Sequence, residues 1–251
     1  MAKLLQPARH LDLEGAYNVR ELGGYRTSSG RTTRWKTFLR ADSPHRLTGE
    51  SQSALLDYGV RTVIDLRRDV ELEERPNVFA GSPGVAYHQQ DIAGEKPMWE
   101  LAGDPAPEDR TDRRAWGYAM TLDHRRTPIR ETLATLSEPG ARPALFHCAG
   151  GTDRTGIIAA LVLGIAGVPS ETIVEDYTLS ARYLTEMYFA EWESPEEGFT
   201  WETYQARYCP PEVMQKTLQH LDEKYGGTEG YMRAIGLTTG QIDSLRNALV
   251  G

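Results

Sequence analysis

The chain has few cysteines, no long hydrophobic run and no excess of positive charge. Cys148 and Cys209 are the only cysteines among 251 residues, which excludes a disulfide framework and favours a reducing compartment. The longest apolar stretch, residues 157–168, is too short for a transmembrane helix and fits a buried core helix. With no signal-peptide pattern at the N-terminus, we expect a cytoplasmic protein without a membrane segment, although export without a signal stays open.

Acidic residues outnumber basic ones, 36 to 28, and the net charge is -8. A nucleic-acid-binding protein usually has a basic face, so this balance argues against nucleic acid as a partner. Hydrophobic residues make up 39% and charged residues 25%, as in folded globular proteins. The length suits one large domain, and we predict a single domain over residues 1–251.

The order of predicted elements indicates an α/β fold. Strands are predicted at 36–40, 60–66, 85–88 and 143–147, a hairpin at 25–33, helices at 48–58, 69–74, 113–123 and 128–136, and a long exposed loop at 94–112. The last 85 residues are predicted to be mostly helical. Two buried strands far apart in sequence, each followed by a helix, predict a mainly parallel central sheet flanked by helices.

The informative segment is the glycine-rich turn between the last predicted strand and the apolar helix. It reads Cys148-Ala149-Gly150-Gly151-Thr152-Asp153-Arg154. The backbone amides of such a turn and the N-terminus of the following helix together form an anion site. We therefore predict that residues 149–154 bind a phosphate group.

Cys148 and Arg154 supply the predicted chemistry. Nearby positive charge and a helix N-terminus lower the pKa of a thiol, and the arginine fork can bind two phosphate oxygens. Cys148 would attack phosphorus, and water would then hydrolyse the cysteinyl-phosphate and release inorganic phosphate. Thr155 would donate a hydrogen bond to the thiolate, and His147 would orient the loop. The alternative, a buried structural cysteine, does not explain the complete strand-turn-helix string.

Three segments carry a resemblance: residues 18–25, Asp65-Leu66-Arg67 with Glu71 and Pro76, and residues 147–156. They resemble the protein tyrosine phosphatase superfamily, with its Cys-x5-Arg signature, and more closely the bacterial family of the mycobacterial PtpB type. The resemblance implies a tyrosine-phosphatase-like fold and hydrolysis of a phosphotyrosine protein or a small phosphate monoester. It also implies no metal or other cofactor and, in some members, phosphoserine, phosphothreonine or phosphoinositide activity. Thr152 stands where members often have lysine, which weakens the case for multiply phosphorylated inositol lipids.

Three aspartates are candidates for the general acid that protonates the leaving oxygen. Asp153 ranks first because it flanks Arg154 and matches the aspartate of the family's loop; its alternative role is a salt bridge or loop brace. Asp65 follows, although an ion pair with Arg67 or Arg20 is the favoured reading. Asp91, on a loop after a strand, ranks third.

Other residues have an ordinary explanation beside the functional one. Arg20 and Arg67 either add positive potential near the loop or form ion pairs. Cys209 either forms a reversible disulfide with Cys148 or, as we favour, is an unrelated thiol. Residues 177–210, rich in aromatic side chains and with an acidic stretch at 191–198, either form a helical lid or simply pack. The aromatic residues are Tyr183, Tyr188, Phe189, Trp192, Phe199, Trp201 and Tyr204.

The sequence thus predicts a tyrosine phosphatase, with phosphoinositide or dual specificity as the alternative within phosphatases. Two other classes are weaker alternatives. A catalytically dead phosphate-binding module would have lost Cys148 or Arg154, and both are present. A rhodanese-like sulfurtransferase also uses a loop cysteine, but the Arg154-Thr155 pair fits phosphate better.

Overall fold

The computed structural model describes residues 9–96, 100, 101, 103, 105–191 and 198–250. Its centre is a five-stranded sheet with strand order β1-β2-β5-β3-β4. The strands are β1 Arg20–Glu21, β2 Phe38–Ala41, β3 Thr62–Asp65, β4 Ala86–Gln89 and β5 Ala144–His147. Only β1 runs antiparallel to its neighbour, so the predicted mainly parallel α/β sheet is confirmed.

Helices cover most of the rest of the described chain. They are α1 Gly49–Tyr58, α2 Asp69–Glu74, α3 Arg110–His124, α4 Arg126–Ser137, α5 Asp153–Ile165, α6 Ser170–Thr178, α7 Ser180–Glu191, α8 Trp201–Tyr208, α9 Pro211–Tyr225, α10 Thr228–Ala234 and α11 Thr239–Val250. The helix predicted at 48–58 is confirmed as α1. Thr48 accepts a hydrogen bond from the Ser51 amide at its start, and Gly59 ends it with φ 108°.

One predicted element is shorter than expected and another differs from the structure. The hairpin at 25–33 is present, with the Thr33 amide donating to the Tyr25 carbonyl at 2.8 Å, but its arms form a single antiparallel bridge between Arg26 and Thr32 and no regular strands. The loop predicted for 94–112 ends earlier, because Asp109 caps α3 by accepting a hydrogen bond from the Asp112 amide. Residues 97–99, 102 and 104 of that loop lie outside the described residues.

Alternation along the strands gives the sheet two apolar faces. Phe38, Ile64 and Phe146 face the larger core, to which α3–α7 and α9–α11 contribute. Leu39 and Leu145 face a smaller core with Leu55 of α1. Helix α5 is buried on nearly all sides from Thr155 to Ile165. Helix α5 follows the carboxyl end of β5. Because β5 is the central strand, with β2 on one side and β3 on the other, the turn between β5 and α5 lies at the middle of the sheet edge.

In the ranges that the structure describes, no helix has the length and apolar character to cross a membrane.

Candidate active site

The turn from β5 to α5 is held in one conformation by its contacts with the end of β2. Gly151 has φ 71°, and a Cβ at this position would lie 2.5 Å from the Ala41 carbonyl oxygen. Both the dihedral angle and the close approach require glycine. The turn therefore lies directly against the chain after Arg40.

Each of four consecutive carbonyl groups in the turn accepts a hydrogen bond from a donor outside it. The pairs are His147 Nδ1 to the Cys148 oxygen at 3.1 Å, the Ser43 amide to the Ala149 oxygen at 2.9 Å, Asn18 Nδ2 to the Gly150 oxygen at 2.9 Å and Arg40 Nη2 to the Gly151 oxygen at 2.7 Å. The outer side of the turn is thus fully bonded to its surroundings.

A peptide group is planar and trans, so a carbonyl that faces outward turns its N–H inward. Within the described part of the chain, the amides of residues 149–152 have no hydrogen-bond acceptor. They are joined by the N-terminus of α5, which begins at Asp153. The turn is therefore a cradle of amide donors for a bound anion.

Cys148 begins the cradle and has a free, buried thiol with 2% of its surface exposed. Thr155 lies in the first turn of α5 and is completely buried. Its hydroxyl has no hydrogen-bond partner among the described residues. Among the described residues, the Cys148 thiol is thus in no disulfide and the Thr155 hydroxyl has no hydrogen bond, so both groups remain for a ligand.

Arg154 is oriented by Glu71. Its Nη1 lies 2.6 Å from Glu71 Oε2 and its Nη2 lies 2.8 Å from Glu71 Oε1, while Nη1 also donates to the Leu66 carbonyl at 3.3 Å. These bonds use three of the five guanidinium N–H groups. The Nε–H and one Nη2–H, which form the other edge of the fork, have no acceptor in the described part of the chain and remain for two phosphate oxygens.

Glu71 and Arg154 form an ion pair in which both side chains are charged. Burial raises the pKa of Glu71, but the hydrogen bonds from Arg154 and the Arg68 amide outweigh this effect and lower that pKa to about 2. Burial lowers the pKa of Arg154, yet its bond to Glu71 and the nearby Cys148 raise that pKa above its ordinary value. Arg154, which we call the phosphate clamp, thus keeps its positive charge at neutral pH.

Asp153 is the first residue of α5, and 51% of its side chain is exposed. Tyr118 donates its hydroxyl to Asp153 Oδ1 at 2.8 Å, and Arg114 Nη1 lies 3.2 Å from the same oxygen. Asp153 and Arg154 line a cavity of about 540 Å³ whose wall also includes Tyr118 and Ile157. The carboxyl group is therefore both held by neighbours and open to a ligand.

Asp65 has a different environment. It is fully buried and bonds Arg67 Nη2 at 2.7 Å and Asn77 Nδ2 at 2.8 Å, with His147 Nε2 at 3.3 Å. Burial raises the pKa of Asp65, but the contacts with His147 and Arg67 prevail and hold it well below its usual value. The predicted ion pair with Arg67 is confirmed, and the same carboxylate also contacts His147.

Asp91 braces its own loop, because Oδ1 accepts hydrogen bonds from the amides of Ala93 and Gly94, each at 2.8 Å. In the described ranges, no group of three or more His, Cys, Asp or Glu side chains could hold a metal ion.

The Tyrosine phosphatase family model matches residues 11–251, almost the whole described chain. The chain belongs to the tyrosine phosphatase family. It is 30% identical to the tyrosine-protein phosphatase of Nostoc commune, over 83% of this chain and 72% of the relative. It is 27% identical to the triple specificity protein phosphatase PtpB of Mycobacterium tuberculosis, over 96% and 99%. The solved structure of P. aeruginosa TpbA aligns over 92% of this chain and 90% of its own, at 16% identity and a TM-score of 0.35.

The phosphatase has a buried charge network behind the cradle that the sequence did not predict. Arg20 Nε and Arg40 Nη1 bond the two oxygens of Asp176 at 3.2 and 2.5 Å. Arg20, expected either near the phosphate or in an ion pair, lies in an ion pair. One signal was in the sequence: Arg40 is a lone charged residue in a strand that is otherwise buried and apolar. Its acidic partner, 136 residues away, has no such signal.

Cys209 of the phosphatase is completely buried, and burial together with the charge of Asp153 raises its pKa to about 12. Both thiols are free. This environment fits the favoured prediction of an unrelated thiol.

The predicted lid region forms α7 and α8, with residues 192–197, including Trp192 and most of the acidic stretch, outside the described residues. A Cβ at Gly150 would lie 4.0 Å from Leu184 Cδ1, so this side chain of α7 lies near the cradle. The aromatic side chains contact one another: Tyr188 stacks on Phe199 at 4.3 Å, and Tyr204 meets Phe199 edge-on at 6.2 Å. Packing, the favoured alternative, is thus present in the region.

Proposed function

We propose that this phosphatase hydrolyses phosphotyrosine in proteins by a two-step reaction with Cys148 as the nucleophile. The thiolate attacks phosphorus and displaces the tyrosine oxygen, and water then hydrolyses the cysteinyl-phosphate to inorganic phosphate. The amides of residues 149–152 and the open edge of Arg154 stabilise the equatorial oxygens in both steps. Thr155, with its unengaged hydroxyl, donates to the thiolate as it departs in the second step.

The main support for this proposal is the orientation of the peptide groups in the turn at 148–154. All four carbonyls bond outward, and Glu71 holds only one edge of Arg154. A structural cysteine at a strand end would need neither the inward amides nor the open guanidinium edge. Arg154 and the full cradle also weigh against a sulfurtransferase.

Asp153 is the general acid in this proposal. It lies next to Arg154, lines the cavity and has half of its side chain exposed. Asp65 is buried among cationic and amide donors, and Asp91 is occupied by two loop amides. Asp153 thus combines access to the leaving oxygen with a position beside the clamp.

Wider specificity is a second candidate, supported by the relative named as a triple specificity phosphatase. The substitution of Thr152 for the lysine that the family often has favours phosphotyrosine over polyanionic inositol lipids, since one cation is lost beside the cradle.

The decisive experiment compares turnover of phosphotyrosine, phosphoserine and phosphothreonine peptides and a phosphoinositide by wild type, Cys148→Ser and Cys209→Ser. We expect the tyrosine peptide to be preferred, Cys148→Ser to be inactive and Cys209→Ser to keep wild-type turnover. Residual turnover in Cys148→Ser would overturn the nucleophile, and a faster lipid reaction would overturn the substrate class.

Residues 177–210 are proposed as a lid within a single phosphatase domain spanning 1–251. The proposal is supported by the position of Leu184 near Gly150 of the cradle and by Phe189, which is 43% exposed. Slower proteolysis of this segment with vanadate bound than without is the expected result; equal rates would argue for packing alone. We also retain a cytoplasmic location, since the nucleophile must stay reduced.

A further inference from the structure

Two neighbouring carbonyls of the cradle are held by one closed ring of buried polar side chains. Arg40 Nη2 donates to Gly151 O at 2.7 Å, and Arg40 Nη1 bonds Asp176. Asp176 bonds Arg20, Arg20 Nη1 donates to Asn18 Oδ1, and Asn18 Nδ2 returns to Gly150 O at 2.9 Å. The ring joins β1, β2 and α6 to the active-site turn.

We propose that Arg40 is a positioning residue of the phosphatase, which acts through the cradle and not by contact with the phosphate. The inference rests on the proposed function, because it assigns Arg40 a part in binding the phosphoryl group at that same site. Its effect is on two peptide groups. With the Gly150 and Gly151 carbonyls fixed outward, the N–H groups of Gly151 and Thr152 point to the anion.

The charge of the ring supports a role beyond stability. Arg20, Arg40 and Asp176 have side-chain exposures of 0%, 1% and 1%, so two guanidinium groups share one carboxylate out of water. A buried charge without a counter-charge is unfavourable, and apolar residues of similar volume are often better for stability alone.

The surplus charge lies close to the anion site. A Cβ at Gly156, in the first turn of α5, would be 3.7 Å from Arg40 Nη2. Arg40 Nε is buried and has no acceptor in the described part of the chain. A positive charge beside the N-terminus of a helix becomes favourable when an anion occupies that terminus, so the ring stabilises the bound phosphoryl group through its field as well as through the peptides.

The test uses the full chain and four variants. Arg40→Met removes the charge and the donor. Arg40→Lys keeps the charge but cannot reproduce the two-pronged fork. Tyr25→Phe is the matched control, because the Tyr25 hydroxyl donates to Asp176 Oδ1 at 2.8 Å in the same buried network without touching the cradle. Asn18→Ala removes the donor to Gly150. Inhibition constants for inorganic phosphate and vanadate, KM and kcat for p-nitrophenyl phosphate, and Tm are measured for each.

We expect Arg40→Met to raise the inhibition constants and lower kcat/KM by about tenfold or more, with partial recovery in Arg40→Lys. Tyr25→Phe should lower Tm yet keep both inhibition constants within about twofold of wild type. The inference is overturned if oxyanion affinity follows Tm across all variants, or if Arg40→Met binds phosphate like wild type.

Should Arg40→Met fail to fold, Asn18→Ala decides, since an unchanged phosphate affinity in that variant would also overturn the role of the ring. The proposed function fails separately, through activity that survives Cys148→Ser. In that case, phosphate affinities of wild type and Arg40→Met measured by calorimetry would still test the effect of Arg40 on anion binding.

Discussion

The carboxylate of Glu71 accepts hydrogen bonds from Nη1 and Nη2 of Arg154, at 2.6 and 2.8 Å, and leaves the Nε edge of the guanidinium open. The carboxylate therefore selects which face of the clamp meets a substrate. In the sequence, Glu71 belongs to a segment that resembles the family, and no local pattern indicates a role for it. Its position in the structure indicates that it orients Arg154.

Glu71→Gln should lower kcat/KM by about tenfold, because an amide holds the guanidinium less firmly and in a less favourable geometry. The stability effect depends on pH. Folding lowers the pKa of Glu71 from 4.5 to about 2, so its stabilisation is complete above pH 4.5 and disappears as pH falls through about 2. The difference in Tm between wild type and variant should therefore be largest at neutral pH and shrink over that acidic window. A difference independent of pH would contradict the ionic clamp.

Asp153→Asn should slow the hydrolysis of phenyl phosphate by about a hundredfold or more and flatten the acidic limb of the pH–rate profile. A substrate whose leaving group needs no proton should be affected far less. Asp91→Asn is the matched control and should retain wild-type rates, since among the described residues its carboxylate bonds only to the amides of its own loop. Normal kinetics in Asp153→Asn would transfer the role to another aspartate.

Tyr118→Phe removes the hydroxyl that donates to Asp153 at 2.8 Å. We expect kcat to fall several-fold, roughly the effect of about 1 kcal/mol, with KM unchanged, because Asp153 loses orientation and not substrate contact. The loss should be larger for phenyl phosphate than for p-nitrophenyl phosphate, which has the better leaving group. Equal losses for both substrates would mean that Tyr118 acts on packing and not on proton transfer.

Iodoacetate at neutral pH should alkylate Cys148 and spare Cys209, whose pKa is raised to about 12 by burial. Peptide mass mapping identifies the modified residue, and inorganic phosphate should protect it. Rapid modification of Cys209 in the folded protein would refute the inert environment described for it.

Local patterns predicted the elements of this fold well and the contacts between them poorly. The caps of α1 and the acidic helix α2 depend on neighbouring residues, so both could be read directly. The turn at 148–154 was recognisable because nucleophile, glycines and arginine are adjacent in sequence. The hairpin at 25–33 likewise depends on neighbouring residues, although its arms form a single bridge.

The supporting residues were hidden because their partners lie far away along the chain. Asn18 reaches Gly150 across 132 positions, and Arg20 reaches Asp176 across 156. The role of Tyr118 likewise depends on how α3 packs beside α5, which no local pattern shows. The sequence thus indicated the reacting groups, whereas the residues that orient those groups could be identified only from the three-dimensional structure.

The ring behind the cradle is assembled from parts of the chain that are synthesised at different times. Asn18 and Arg20 precede the cysteine turn and Asp176 follows it, so the ring can close only after Asp176 has been synthesised. If Arg40 has the proposed positioning role, a chain synthesised only as far as the cysteine turn would carry the nucleophile without a fixed anion cradle.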